Sequence, residues 1–303
     1  MPLLPIPSSR EPARPRSVYP LGELEMISPW FDNRNARDER PDSVSRPPRL
    51  LLIVAPPRSG SYLLCRQLWE LGYGRPFEYC NPNPHFRAAL ARFGRRPWRQ
   101  LIHARSASPA FDSQTFFSCK LQPYQLRGSL ERQIRQVWTP LARRGWLESH
   151  QGQLKLELVF LRRLDVLRSA ASWHFSLCTG AFDQGLTYTF QRWPMGALLD
   201  PEYLNKSLVE YRQHLRWLRQ AQAAFPLAHC LTHEELLADP DAQLGGVVKQ
   251  LSPAVDAASL DEALHFRIEV DPSPFRTERQ GLLKAIEALI RERDLMPDAE
   301  DLA

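Results

Sequence analysis

The sequence predicts an α/β protein, a P-loop-like, doubly wound parallel sheet flanked by helices. Three observations carry that expectation. The run Leu50-Leu51-Leu52-Ile53-Val54-Ala55 is apolar and rich in branched residues, as a buried parallel strand is, and it stops at Pro56-Pro57, which cannot continue a sheet ladder. A tight Arg58-Ser59-Gly60-Ser61 turn follows, and Leu63, Leu64, Leu68 and Leu71 then begin a helical apolar stripe. Beyond it, strand-like and helix-like segments alternate, the signature of one sheet with helices on both faces.

Taken in order, residues 1–48 are rich in Pro and Arg with little periodicity, and read as a flexible extension anchored around Trp30 and Phe31. Residues 49–295 read as a single domain, and 296–303 as an acidic tail. The first helix should close near Gly72 and Gly74, since glycine ends helices well. The segment from Arg75 to Pro84 is too broken by proline for regular structure. Residues 85–110 are read as helix and loop. Phe116-Phe117-Ser118-Cys119-Lys120-Leu121 is the second expected strand and 123–145 a helix stopped by Gly145. Leu156-Glu157-Leu158-Val159-Phe160-Leu161 is the third strand, followed by the charged turn Arg162-Arg163-Leu164-Asp165 and a helix capped by Asp165 that runs to Gly180. A long helix over 202–224, a short strand over 227–231, a helical turn after His233, a helix over 240–252 and a last helix over 277–293 complete the pattern.

Composition narrows the function classes. The chain has 303 residues, is 43% hydrophobic and 24% charged, and carries a net charge of +5, which describes an ordinary globule with a sizeable core. That charge permits an anionic ligand but does not indicate a nucleic-acid binder. Its basic residues are spread out, and the small cluster of Arg92, Arg95, Arg96 and Arg99 reads as a solvated loop. No apolar run approaches the roughly 18 residues of a membrane span, and the first residues lack the apolar core of a signal peptide. Cys65, Cys80, Cys119, Cys178 and Cys230 are scattered singly, without zinc-site or disulfide spacing. A cytoplasmic location is the expectation.

In doubly wound sheets, ligands bind beyond the carboxyl ends of the strands, where both charged turns fall. The turn at 58–61 joins backbone N–H groups, the positive end of a helix dipole, Arg58 and the hydroxyls of Ser59 and Ser61, an arrangement suited to a phosphate or sulfate. It lacks the Gly-Lys-Ser/Thr ending of nucleoside-triphosphate P-loops. A P-loop kinase-like domain is therefore disfavoured, though it stays open as an alternative alongside a non-catalytic nucleotide-binding domain.

The stretch Pro57-Arg58-Ser59-Gly60-Ser61-Tyr62-Leu63-Leu64 resembles the P-R-S-G-S-T-x-L-L turn of sulfotransferases that use 3′-phosphoadenosine-5′-phosphosulfate (PAPS), with Tyr62 in place of the threonine. Arg163-Leu164-Asp165-Val166, with Ser172 further on, resembles the family element that holds the 3′-phosphate. Arg162 alternates with Arg163 and is expected to face the other way. The likeness is greatest to the Stf0 (trehalose 2-sulfotransferase-like) group, whose G-x-P-x-E-[FY]-F segment is matched by Gly74-Arg75-Pro76-Phe77-Glu78-Tyr79-Cys80 and whose G-K-L strand is echoed by Cys119-Lys120-Leu121. A late loop of that group is echoed loosely by Arg267 and Ser273. The resemblance implies a sulfotransferase fold with PAPS as donor. Residues Arg58, Ser59, Gly60, Ser61, Tyr62, Arg163, Ser172 and Arg267 would bind PAPS, Glu78 would be the general base, and Arg58 and Lys120 would stabilise the transferred group. It implies a carbohydrate or glycolipid-like hydroxyl acceptor and, by analogy, a homodimer. Sulfuryl transfer places one charge on the moving group and needs no metal clamp, so no metal is expected.

Two features temper these implications. The Stf0 group has a Trp-Arg pair after the serine, where this chain reads Trp173-His174-Phe175, which puts trehalose itself in doubt. His85 and His103 are rival bases, since histidine titrates near neutrality. Tyr79, Trp98, Trp173 and Phe175 are candidate acceptor-pocket aromatics.

Overall fold

The computed structural model describes residues 46–81, 97–106, 114–126, 128–183, 186–187, 192–265 and 276–295. Arg267, Ser273, His85, Arg92, Arg95 and Arg96, the extension up to residue 45 and the acidic tail lie outside the described residues.

The central sheet has four parallel strands: β1 (Arg49–Val54), β2 (Phe116–Leu121), β5 (Leu156–Arg162) and β8 (His229–Thr232), in the spatial order β2-β1-β5-β8. Short antiparallel pairs, β3 (Ser149–His150) with β4 (Gln153–Leu154) and β6 (Ala181–Asp183) with β7 (Leu186–Thr187), stand apart from it. The helices in chain order are α1 (Ser61–Glu70), α2 (Pro97–Arg105), α3 (Leu130–Gln133), α4 (Thr139–Arg143), α5 (Val166–Thr179), α6 (Pro201–Ala224), α7 (His233–Ala238), α8 (Pro240–Leu251), α9 (Ala257–His265) and α10 (Arg276–Glu292). The expected α/β fold is the one observed.

Why the sheet is doubly wound follows from the sequence of β1. It is apolar and buried from Leu50 to Val54, so alternate residues serve opposite faces. Leu50, Leu52 and Val54 join Phe117, Leu121, Trp138 and Leu218 on one side. Leu51, Ile53 and Ala55 join Leu64 and Leu68 of α1 with Leu244, Val247 and Val248 of α8 on the other. A third cluster binds α5, α6 and α10 through Ala170, Phe175, Leu208, Leu215, Ile286 and Ile290. Burying a leucine of this kind stabilises the fold by about 1.5–3 kcal/mol.

Strand order reverses between β1 and β5, because the chain leaves β1 toward β2 and returns on the other side. In open parallel sheets ligands bind beyond the carboxyl ends of the strands at such a reversal. Both charged turns sit there.

Elsewhere the structure departs from expectation in places with clear physical causes. The helix expected over 123–145 is divided. A single 3₁₀ turn, Pro123–Gln125, stands apart from α3, and the helix after Ser129 passes through a wider turn at Ile134–Trp138 before α4. Gly128 at φ 102° accounts for the first break, and Pro140, which removes one backbone donor from the continuous run that follows, accounts for the wider turn before it. The helix α9, the 3₁₀ segment Met195–Leu199 and the β3–β4 pair were not expected from the pattern. No helix among the described residues is long and apolar enough to cross a membrane.

Candidate functional site

The loop after β1 owes its shape to backbone chemistry. Pro56 and Pro57 end the ladder, and Arg58 takes a left-handed conformation (φ 63°), as does Gly60 (φ 82°). A non-glycine residue there costs roughly 1–2 kcal/mol, a strain that commonly marks functional loops. The Ser59 hydroxyl donates to the Pro56 carbonyl at 2.9 Å, and Ser59 is wholly buried. That hydroxyl, expected to serve an anion, instead closes the loop on itself. Helix α1 begins at Ser61 with no side chain capping it, so its positive end faces the loop. Behind the loop, a Cβ on Gly60 would fall inside the ring of His233. Only glycine meets both demands, the left-handed φ and the contact.

The side chain of Arg58 reaches across the switch point. Its Nε donates to the Ser172 hydroxyl on α5 at 2.9 Å. Beneath the loop, the buried Tyr211 of α6 donates its hydroxyl to the Pro57 carbonyl at 3.3 Å. Burial pushes that phenol up to about 12, against the opposing pull of Ser169, Arg163 and Arg58. The His233 ring lies against Gly60, and Glu234, the next residue, pairs with Arg163, which brings Arg163 to the side of the loop where His233 packs. Arg162 ends β5 and pairs with Thr232 of β8. The Arg163 Nε is 3.8 Å from Glu234, whose carboxylate also accepts the backbone N–H groups of Leu164 (2.9 Å) and Asp165 (3.1 Å). Glu234 therefore fixes the turn that carries Arg163. Asp165 caps α5 by accepting the Arg168 N–H.

A second group of residues adjoins the loop through Tyr62. The Phe77 carbonyl accepts the Lys120 N–H at 2.9 Å, and Phe77 pairs with Cys119 as a bridge, so the proline-broken segment runs along β2. Tyr79 stacks on Phe117 at 5.4 Å and donates to the Arg75 carbonyl, fixing the segment further. Glu78 is thereby set against Lys120, with Oε1 2.6 Å from Nζ. Lys120 is fully buried and Glu78 is 5% exposed. The ring of Tyr62 lies 3.3 Å from the Lys120 ammonium, a cation–π contact, and its hydroxyl donates to Glu78 Oε1 at 3.3 Å. The other oxygen, Oε2, accepts from Gln125 (2.6 Å), Asn81 (2.8 Å) and the Tyr124 hydroxyl (3.0 Å). Burial pushes the Glu78 carboxyl up, but the Lys120 charge and the hydrogen bonds from Lys120, Asn81 and Tyr124 outweigh it and hold the carboxyl below its usual range. Glu78 is thus ionised at neutral pH and paired.

These two groups of residues are joined by rings. Tyr124 stacks on Trp173 at 6.2 Å, and Trp173 follows Ser172 directly. His214, on α6 with Tyr211, meets Tyr124, Trp173 and Tyr211 with ring centroids at 6.2, 5.5 and 6.3 Å. Its ring is 4% exposed, its Nδ1 has no partner, and burial lowers its titration to about 4. His214 is therefore neutral in the fold and protonated when unfolded at mildly acidic pH. Its contribution to stability is complete above about pH 6.5 and is lost as pH falls toward 4, roughly 3 kcal/mol over that window. A series of melting temperatures from pH 7 to 4 should show the fall, and His214→Phe should flatten it. An unchanged slope would mean that His214 is charged in the fold.

The sequence-predicted residues Arg58, Ser59, Gly60, Ser61, Tyr62, Glu78, Lys120, Arg163 and Ser172 thus converge at the carboxyl edge of the sheet. Tyr62 departs from its expected place: its side chain belongs to the Glu78–Lys120 pair rather than to the loop. Arg267 lies outside the described residues. Of the candidate pocket aromatics, Trp173 adjoins Glu78 through Tyr124. Trp98 packs on Trp138, and Phe175 lies in the third core cluster under Arg279. His103 sits on α2 beside Arg99, where burial lowers its titration. Asn81, Tyr124, Gln125, Tyr211, His214, His233 and Glu234 were not singled out by sequence. Tyr124 and Gln125 fall in the stretch read as the helix over 123–145, and nothing there marked them as site residues. No group of three or more His, Cys, Asp or Glu residues among the described residues could hold a metal ion.

No family model matches the sequence, and no curated protein matches it. Among solved structures, the chain is similar to retinol dehydratase in complex with androsterone and the inactive cofactor PAP, with 12% identity over 87% of this chain and 85% of that one and a TM-score of 0.36.

Proposed function

We propose that this chain is a PAPS-dependent sulfotransferase that moves a sulfuryl group onto a hydroxyl of a carbohydrate or glycolipid-like small molecule, by in-line transfer without a metal. One observation carries the reading. At one strand-order reversal, a strained anion loop with Arg58, Ser172 and Arg163 lies against a buried Glu78–Lys120 pair, with Tyr62 bridging the two. An anion site alone fits any phosphate ligand. An anion site beside an ionised carboxylate and a fixed ammonium fits transfer to a hydroxyl.

The donor set fits PAPS on chemical grounds. The loop and the α1 N-terminus suit the phosphosulfate, Arg58 adds a guanidinium there, and Arg163 supplies a second cation for a 3′-phosphate. Such preorganised donors are worth roughly 3–4 kcal/mol each where charge develops on the leaving phosphate. The carbohydrate class, the Stf0 likeness and a homodimer rest on the sequence resemblance. The singly scattered cysteines favour a cytoplasmic setting.

A thermal-shift panel tests the reading. Adenosine 3′,5′-bisphosphate should stabilise the protein, by about 2.7 kcal/mol at a hundredfold excess over Kd, while ADP and ATP–Mg²⁺ should not. Arg163→Ala should weaken the bisphosphate by roughly 10–100-fold, the worth of a charge-assisted contact, and leave adenosine 5′-phosphosulfate, which lacks the 3′-phosphate, nearly unaffected. Stabilisation by ATP–Mg²⁺ alone would favour the kinase-like alternative. Binding of the bisphosphate with no turnover of PAPS would favour a non-catalytic domain.

A further inference from the structure

The sulfuryl-transfer reading leaves Glu78 with a difficulty that the structure itself resolves. Glu78 is sealed, and its two oxygens hold five donors: Lys120 and Tyr62 on Oε1, Gln125, Asn81 and Tyr124 on Oε2. A carboxylate offers about four lone-pair positions. An incoming hydroxyl therefore has no open site on it.

The five donors are not equivalent. An ammonium and two carboxamide NH₂ groups donate and cannot accept at the same atom, so none of them can take a proton from an acceptor. Only the two phenols both donate and accept. Tyr62 is 3.3 Å from the carboxylate, and its ring is committed to the Lys120 ammonium. Tyr124 is closer, at 3.0 Å, and its side chain is 38% exposed, whereas Lys120, Gln125 and Glu78 are buried. Its oxygen also lies within 3.3 Å of the Gln125 amide and 3.5 Å of the Asn81 amide. Both contacts are longer than the roughly 2.7–3.2 Å of a full N–H···O bond, so an incoming hydroxyl can take a lone pair of that oxygen while the two amides still stabilise negative charge on it.

We infer that Tyr124 is a catalytic residue that relays the acceptor's proton to Glu78. This rests on the sulfuryl-transfer reading given above. As the acceptor oxygen bonds to sulfur, the bond from sulfur to the leaving phosphate oxygen breaks. The acceptor proton passes to Tyr124 Oη, and the phenol's own proton passes to Glu78 Oε2. After release, the return shift restores both groups and delivers the proton to solvent. The Trp173 ring stacked behind Tyr124 and the neighbouring His214 hold the phenol in line with the carboxylate. The acceptor class that suits this relay presents a hydroxyl beside an exposed aromatic face, as a sugar ring does.

The test compares the wild type with Tyr124→Phe and Tyr124→His, reading release of adenosine 3′,5′-bisphosphate from PAPS with trehalose, octyl β-glucoside or water as acceptor. Tyr124→Phe should lower kcat about 100-fold, with Kd for the bisphosphate within about threefold and an unchanged melting temperature. Tyr124→His keeps a donor and acceptor in one ring and should recover part of the rate. A second arm needs no turnover: the Tyr124 phenol, titrated by difference absorbance against Tyr124→Phe, should ionise at lower pH once Glu78→Gln removes the neighbouring charge. A Tyr124→Phe variant as fast as an active wild type overturns the relay and leaves the sulfotransferase reading intact. A phenol titration that ignores Glu78→Gln overturns the relay with any acceptor. A wild type that binds no bisphosphate and turns over no PAPS overturns both.

Discussion

Glu78→Gln should reduce transfer at least 10²–10⁴-fold, the range that loss of a general base produces, while binding of adenosine 3′,5′-bisphosphate stays within a few-fold. The expectation follows from position. Glu78 meets Lys120, Tyr62, Tyr124, Gln125 and Asn81, whereas the proposed nucleotide site is built from Arg58, Arg163 and Ser172. The amide keeps the size of the carboxylate and an oxygen that accepts, so the surrounding hydrogen bonds survive in part. It loses the ability to hold a proton. The depressed titration of Glu78 has a further consequence: the group is ionised throughout the neutral range, so activity should not decline with falling pH until below the ordinary carboxylate value of 4.5. Single-turnover measurements with labelled PAPS, beside equilibrium binding of the bisphosphate, check both statements. Full activity in the variant would remove Glu78 from the chemistry.

Lys120→Met should destabilise the fold by about 3–5 kcal/mol, the cost of leaving one member of a buried ion pair alone. Lys120 is fully buried beneath Tyr62 and meets Glu78 at 2.6 Å, so its removal leaves an ionised carboxylate that has lost its counter-charge. Part of that cost should appear as a shift: without Lys120, burial is the dominant influence on Glu78, and its titration should rise. The double variant Glu78→Gln with Lys120→Met removes both charges and should be more stable than Lys120→Met alone. Chemical denaturation of the four proteins gives the coupling energy directly. Additive losses would show that the pair is screened and weak, which its burial argues against.

How much of this was legible in the sequence differs by element. The strand Leu50–Ala55 declared itself because a buried parallel strand is apolar on both faces, and the loop after it because prolines end ladders. Helix α5 was legible at both ends, with Asp165 as its cap and Gly180, at φ 73°, as its stop. The division of the segment after Pro123 was not, since Gly128 sits among good helix formers and its effect depends on what it packs against. Among the candidate site residues, Arg58, Glu78, Lys120, Arg163 and Ser172 could be picked out by likeness to a family pattern. Tyr124, Gln125 and Asn81 could not, because an isolated tyrosine or amide carries no sign of the carboxylate it will meet.

The sequence by itself determined the alternation of strands and helices, hence a doubly wound sheet, and with it the edge at which such sheets bind ligands. It also determined the tight turn after the first strand, since proline and glycine act through the backbone wherever they fall, whereas the left-handed conformation of Arg58 came only with the structure. Only the tertiary structure decided which groups face one another there. Glu78 reaches Lys120 because Phe77 pairs along β2, and Tyr62 turns from the loop to that pair because the buried ammonium lies beneath its ring. Tyr124 joins them from a 3₁₀ turn 46 residues further along. Local rules act over a few residues, whereas an ion pair, a ring stack or a proton path requires groups that meet only when distant segments pack.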